Sequence, residues 1–176
     1  MPGRSQSGFT LLELLLVIIL VIVLYAVAVD RLLPLRGDAE AAAAATVVGT
    51  LRSALGIEVA NRVVRDGAQE ITTLEGVNPM RLLVEAPANY LGEVDGVQPD
   101  QLPVGHWYYD RAAGELVYLV RYAQYFRTEL PGPPRLVFQT ELVYNERQEP
   151  VGIVLERRNA FVWVQSADTA ALLGRQ

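Results

Sequence analysis

The hydrophobic positions of this chain fall into two regions with different patterns. An apolar stretch runs from residue 9 to residue 29, and residues 11 to 29 are nearly all Leu, Val, Ile and Ala. A run of about 20 such residues is near the length that a helix needs to cross roughly 30 Å of hydrocarbon. Behind it, polar and apolar residues mix as they do in an ordinary soluble domain. We therefore predict one membrane-crossing helix, followed by one globular domain.

The helical pattern is interrupted at Pro34 and Gly37 and then resumes. Proline removes a backbone hydrogen bond and kinks or locally melts a helix, so we predict a kink here and a restart at Gly37, with Asp38 as the N-cap. Six alanines within residues 39–45 favour helix. An apolar stripe then recurs every four residues at Val47, Leu51, Leu55, Val59 and Val63. This spacing predicts a helix to about Arg65 whose stripe packs on a sheet.

The second half of the chain is predicted to form a sheet. Glycines and prolines punctuate residues 66–103, which predicts loop apart from a short helix from Asn78-Pro79 to Val84. Residues rich in β-formers or alternating in polarity then predict strands at 105–110, 115–121, 135–144, 151–156 and 160–165. The first two strands form a hairpin around Asp110–Gly114, and the last two form one around Arg157-Arg158-Asn159. A long helix, a loop and an antiparallel sheet in this order indicate an α+β fold.

Composition excludes several kinds of site. The chain has no cysteine, which excludes a disulfide, an iron–sulfur cluster and a Cys-ligated zinc. Its one histidine, His106, cannot build a multi-histidine metal site, no serine lies in a nucleophile elbow, and no Gly-rich phosphate loop follows a strand. Asp95, Asp100 and Asp168 are candidate calcium ligands, but their spacing matches no calcium loop. We expect neither an enzyme nor a bound cofactor.

Charge argues against nucleic acid as a general partner. The chain carries a formal charge of −5 and contains no lysine, whereas affinity for nucleic acid comes largely from neutralised phosphates. Arginines 111, 121 and 127 are interleaved with a group of aromatic residues, a mixture that can bind single strands. Strand alternation is expected to bury about half of that group: Trp107, Tyr108, Tyr109, Tyr118, Tyr122, Tyr125 and Phe126.

One acidic residue lies inside the apolar run. Glu13 stands five positions after Gly8, and an ionised carboxylate in a membrane costs at least about 2.5 kcal/mol unless it has a partner. Cleavage between Gly8 and Phe9 would create an amino group on Phe9, one helical turn from Glu13 and on the same face. The carboxylate would then pair with this amine in its own chain or in a neighbour. The alternative is a glutamate that snorkels to the headgroups.

The segment Ser7-Gly8-Phe9-Thr10-Leu11-Leu12-Glu13 and the apolar run behind it closely resemble the type IV prepilin signature. The resemblance covers about 25 residues. It implies a leader peptide at 1–8, cut after Gly8 by a prepilin peptidase that methylates the Phe9 amine. It also implies a filament-core helix at 9–36 and a pilin-like globular domain at 37–176. The small residues precede the apolar run, which is the wrong side for an ordinary signal peptidase.

The same resemblance implies partners and a location. An inner-membrane protein with a single span and a periplasmic domain would enter a pilus or a type II secretion pseudopilus through its N-terminal helix. Its partners would be the lipid bilayer, an assembly platform and other pilins or pseudopilins. The missing cysteines favour a minor pilin or pseudopilin, since major pilins commonly carry a disulfide loop. The alternatives are a competence-type pilin that binds DNA through Arg157 and Arg158, and a membrane-tethered enzyme.

Overall fold

The structure is a computed structural model that describes residues 9–33, 35–65 and 67–164, without the side chains of Asp30 and Ala68. It divides at Arg36 and Gly37 into two compact units, which are described separately. The predicted cleavage site at Gly8 and the predicted kink at Pro34 lie outside the described residues.

The first unit is built around helix α1, Leu11–Leu32. Thr10 has extended backbone geometry, and its hydroxyl accepts a hydrogen bond from the Glu13 amide at 3.2 Å, which caps the first turn. Within this unit no residue of the Leu11–Val29 segment is buried. The predicted apolar helix is therefore confirmed, and none of the aliphatic side chains of this segment is buried.

Helix α2, Leu35–Arg65, ends where the sequence predicted but begins earlier. Gly37 lies inside the helix, so the predicted restart at Gly37 with Asp38 as the N-cap was wrong. Asp38 lies in the first turn instead. A helical glycine costs about 1 kcal/mol relative to alanine, and here it is kept because the residue is buried against Tyr125.

Only part of the predicted apolar stripe of α2 is buried. Leu51 and Leu55 are buried, whereas Val63 is exposed. A spacing of four residues drifts about 40° around the helix at each step, so the ends of the predicted stripe turn away from the core. The buried residues follow a mixed spacing instead: Gly37, Glu40, Ala44, Val48, Leu51 and Leu55.

In the residues that the structure describes, seven strands form two sheets. They are β1 Tyr90–Val94, β2 Trp107–Asp110, β3 Glu115–Leu119, β4 Phe126–Thr128, β5 Arg135–Tyr144, β6 Pro150–Arg157 and β7 Phe161–Trp163. The larger sheet has the order β1-β2-β3-β5-β6, and β4 pairs with β7. All pairs are antiparallel except β1 with β2. The fold is thus α+β with a mostly antiparallel sheet, a layout compatible with that of a pilin.

Two of the predicted strand connections have different outcomes. The β2–β3 hairpin is confirmed: Asp110 pairs with Glu115, and Gly114 takes a φ of 68° in the turn. The last hairpin was wrong, because β7 pairs with β4 and not with β6. Buried Asn159 explains the switch. Its side chain accepts from the Val137 amide at 2.8 Å and donates to the Arg135 carbonyl at 3.0 Å, which takes the place of further β5–β6 pairing.

The region 67–103 is more ordered than predicted. The short helix at Asn78-Pro79 is confirmed as a 3-10 helix, Pro79–Leu82, and Asn78 caps it. Other 3-10 helices cover Ala68–Leu74 and Pro99–Gln101. Strand β1, which was predicted as loop, is short and contains a glycine, and its parallel partner lies across a crossover connection.

Both faces of the large sheet are covered. One face packs against α2 through Trp107, Tyr109, Leu116, Tyr118, Leu136 and Phe138. On the other face Tyr108, Val117, Leu119 and Val137 form a second cluster with Val94, Leu102 and Leu130. Of the seven aromatic residues that are interleaved with arginines in the sequence, five are buried. This is more than the half that was expected from strand alternation with one buried face.

Candidate functional site

The predicted assembly residues lie in and just before the first turn of α1. Phe9 is 70% exposed and the Glu13 side chain is exposed as well. A negative charge in the first turn is favoured by the helix dipole. Glu13 forms no ion pair with any residue in the described part of the chain. Its carboxylate is therefore available for a partner, and the bond after Gly8 is not among the described residues.

Helix α1 is long and apolar enough to anchor the chain in a membrane. The 19 residues Leu11–Val29 form the candidate span, and none of them is buried. Helix α2 passes the same test of length and composition. Its buried face packs on the sheet, as the core helix of a soluble domain does. Of the two helices, α1 is therefore the candidate membrane anchor.

The start of α2 carries a buried carboxylate. Glu40 is 8% exposed. Its Oε1 accepts from the Tyr118 hydroxyl at 2.8 Å and from the Arg121 amide at 2.6 Å, and its Oε2 accepts from the Tyr122 amide at 2.9 Å. Burial raises the pKa of Tyr118 well above its usual value, and the hydrogen bond to Glu40 raises it further. Such charge-assisted bonds are about twice as strong as neutral ones.

One turn before Glu40, helix α2 comes very close to the side chain of Tyr125. A Cβ placed on Gly37 would lie 2.7 Å from Cβ and Cγ of Tyr125 and 2.8 Å from its Cδ2. Tyr125 ends the 3-10 helix Ala123–Tyr125, which follows directly after the residues that bind Glu40. Gly37 and Glu40 therefore both contact one continuous stretch of chain, 118–125.

A second polar cluster fixes β1 to the 3-10 helix Pro79–Leu82. Buried Asn78 donates to the Tyr90 hydroxyl at 2.8 Å and to Glu93 at 2.7 Å, and Arg81 donates twice to the same carboxylate, at 2.6 and 2.8 Å. The hydrogen bonds from Asn78 and Arg81 hold the pKa of Glu93 below its usual range. Every group is paired, so the cluster has the character of a structural clamp.

The remaining residues singled out in the sequence form no common site. His106 is half-buried, and its Nδ1 lies 3.0 Å from the Val104 carbonyl oxygen. Asp95 pairs with Arg111, and Asp168 lies outside the described residues. No group of three or more Asp, Glu or His side chains that could hold a metal ion occurs within 9–33, 35–65 and 67–164.

The two arginines proposed for DNA have partners within the domain. Arg158 pairs with Glu141 at 2.6 Å, and the Arg157 guanidinium lies 5.0 Å from the centre of the Phe161 ring. They do not form a hairpin tip, because β6 and β7 belong to different sheets. Beside them runs a groove of about 900 Å³ between the alanine-rich face of α2 and the aromatic side chains of Phe161 and Trp163.

A comparison of the chain with protein families, curated proteins and solved structures finds no match. Sequence reasoning predicted Phe9 and Glu13 as assembly residues, which stays a prediction, and it missed the contacts of Gly37 and Glu40. One signal was available: Glu40 is the only charged residue within 39–45, and it faces the core.

Proposed function

We propose that this chain is a pilin-like structural subunit, a minor pilin or a pseudopilin, which is anchored by α1 and assembled through it. A prepilin peptidase cuts after Gly8 and methylates Phe9, and the processed helix then passes from the bilayer into a filament. The globular domain stays outside the cytoplasm. On this proposal the chain is not an enzyme.

The observation that carries the proposal is the combination found at the N-terminus. In the sequence, the short leader, Phe9 and Glu13 have the order and spacing of the prepilin signature. In the structure the apolar segment is a continuous helix with every residue of Leu11–Val29 unburied, so it needs lipid or other helices around it. The α+β domain that follows has a layout compatible with this role.

Glu13 supplies the register for assembly. Its carboxylate is without a partner in the described chain, and a charge that enters an apolar filament core unpaired costs several kcal/mol. The new Phe9 ammonium of a neighbouring subunit removes this penalty at one axial offset only. Subunits would therefore add in a fixed register.

The test is the incorporation of Glu13→Gln. The full-length variant is produced with a prepilin peptidase and an assembly system, and sheared filaments are probed for the processed subunit. We expect cleavage and membrane insertion to persist while incorporation falls about tenfold or more, as expected for a loss of a buried pair.

Glu58→Gln is the matched control, because it removes the same charge from α2 at a partly exposed position. This variant should be incorporated like the wild type. Incorporation of processed Glu13→Gln at the wild-type level would refute the pairing, and absence of the wild-type chain from filaments would refute the proposed function.

A further inference from the structure

The start of α2 is held by two contacts that come from the same stretch of chain. Glu40 binds the Tyr118 hydroxyl and the amides of Arg121 and Tyr122. The next residues form the 3-10 helix Ala123–Tyr125, whose last member packs on Gly37. The carboxylate therefore fixes the loop that carries Tyr125, and Tyr125 closes on the helix one turn before the carboxylate.

These contacts lie at the point where a helix is weakest. The first amides of a helix have no partner within it, so unwinding starts from the end. Without Gly37 and Glu40, the first buried residue of α2 would be Ala44. The first two turns of the helix would then contain no buried residue.

We infer that Gly37 and Glu40 form a latch with residues 118–125, which stops unwinding of α2 from its N-terminal end at Gly37. Unwinding that begins before Gly37 stops at Gly37, and the core that begins at Ala44 keeps its packing. The two units divide between Arg36 and Gly37, which is the N-terminal limit of this latch. The latch acts whether or not the chain enters a filament.

Glu40→Ala separates the latch from helix propensity, because the two predict opposite results. Alanine is the best helix former, so propensity alone predicts slower hydrogen exchange near residue 40. Loss of the latch predicts faster exchange. We expect the amides of 39–43, and those of Arg121 and Tyr122, to exchange about tenfold faster or more when three bonds to a charged group are lost.

The measurement is hydrogen exchange with mass spectrometry on the full-length chain in lipid nanodiscs. Glu58→Ala is the control, since it removes a carboxylate from the same helix. Among the described residues, this carboxylate pairs with Arg62 alone. It should leave exchange in 39–43 and at residues 121 and 122 unchanged. Tyr118→Phe removes one of the three bonds and keeps the ring, so it should raise exchange in 39–43 by a smaller factor.

Two results would overturn the latch. One is exchange in 39–43 that Glu40→Ala leaves unchanged or slows. The other is a rise of the same factor throughout the domain, β5 included, which would make Glu40 an ordinary contributor to global stability. If Glu40→Ala does not fold, Tyr118→Phe decides: a rise confined to 39–43 and 121–122 supports the latch, and its absence refutes it.

Discussion

Replacing Gly37 with alanine tests the close packing at the start of α2. The added Cβ would lie 2.7–2.8 Å from three atoms of Tyr125, closer than carbon atoms pack without a shift. One of these atoms is Tyr125 Cβ, which is attached to the backbone, so a change of rotamer cannot relieve the contact. Either α2 or the 3-10 helix Ala123–Tyr125 must move.

Two opposing effects set the magnitude. Alanine in a helix interior is favoured over glycine by about 1 kcal/mol, while overpacking a filled site costs about 1–3 kcal/mol. At so short a separation we expect the steric cost to prevail, with a net loss of about 1–2 kcal/mol in the free energy of unfolding. Gly49 and Gly56 are the internal controls, since a Cβ there meets nothing within 4 Å. Alanine at either position should stabilise by about 0.5–1 kcal/mol.

The assay is thermal unfolding of the full-length chain in mild detergent, followed by near-UV circular dichroism of buried Trp107. Tyr125→Gly removes all three obstructing atoms, so in that background Gly37→Ala should become neutral or stabilising. A Gly37→Ala variant that is as stable as Gly49→Ala would refute the packing argument. So would a destabilisation that persists unchanged in the Tyr125→Gly background.

Two further predictions concern the globular domain. A chain reduced to residues 37–176 should be soluble and should unfold cooperatively, because its core lies within that unit; a melting curve without a transition would contradict this. The lowered pKa of Glu93 means that this carboxylate stabilises the fold above its unfolded pKa of about 4.3. That contribution is lost as pH falls through the folded value. Glu93→Gln should therefore be less stable than the wild type near pH 7, and urea unfolding should show the gap narrowing below about pH 4; a gap independent of pH would contradict it.

Local signals in the sequence predicted much of the fold. Periodicity and turn residues close together in the chain were enough to predict four features. These are the apolar helix α1, the end of α2 at Arg65, the β2–β3 hairpin and the full extent of β5. Phe9 and Glu13 were predicted as assembly residues from their spacing of one helical turn and from the prepilin resemblance, and this stays a prediction.

Contacts between distant residues decided the rest. Glu40 and Tyr118 are 78 positions apart, and no local pattern brings them together. The pairing of β7 with β4 depends on Asn159, which binds β5 across 22 positions. Gly37 looked like a helix interruption because Tyr125, the residue that it packs against, is also distant in the sequence. Propensity describes an isolated segment, and it fails where tertiary packing sets the conformation.

The mass of the mature N-terminus tests the central claim most directly. The full-length chain is expressed with an active prepilin peptidase, isolated from membranes and analysed by intact and N-terminal peptide mass spectrometry. Cleavage removes Arg4 and changes the formal side-chain charge from −5 to −6. The account predicts a chain that starts at Phe9 and carries one methyl group on its amine. A chain that keeps Met1 to Gly8 while the peptidase processes another prepilin in the same cells would contradict it.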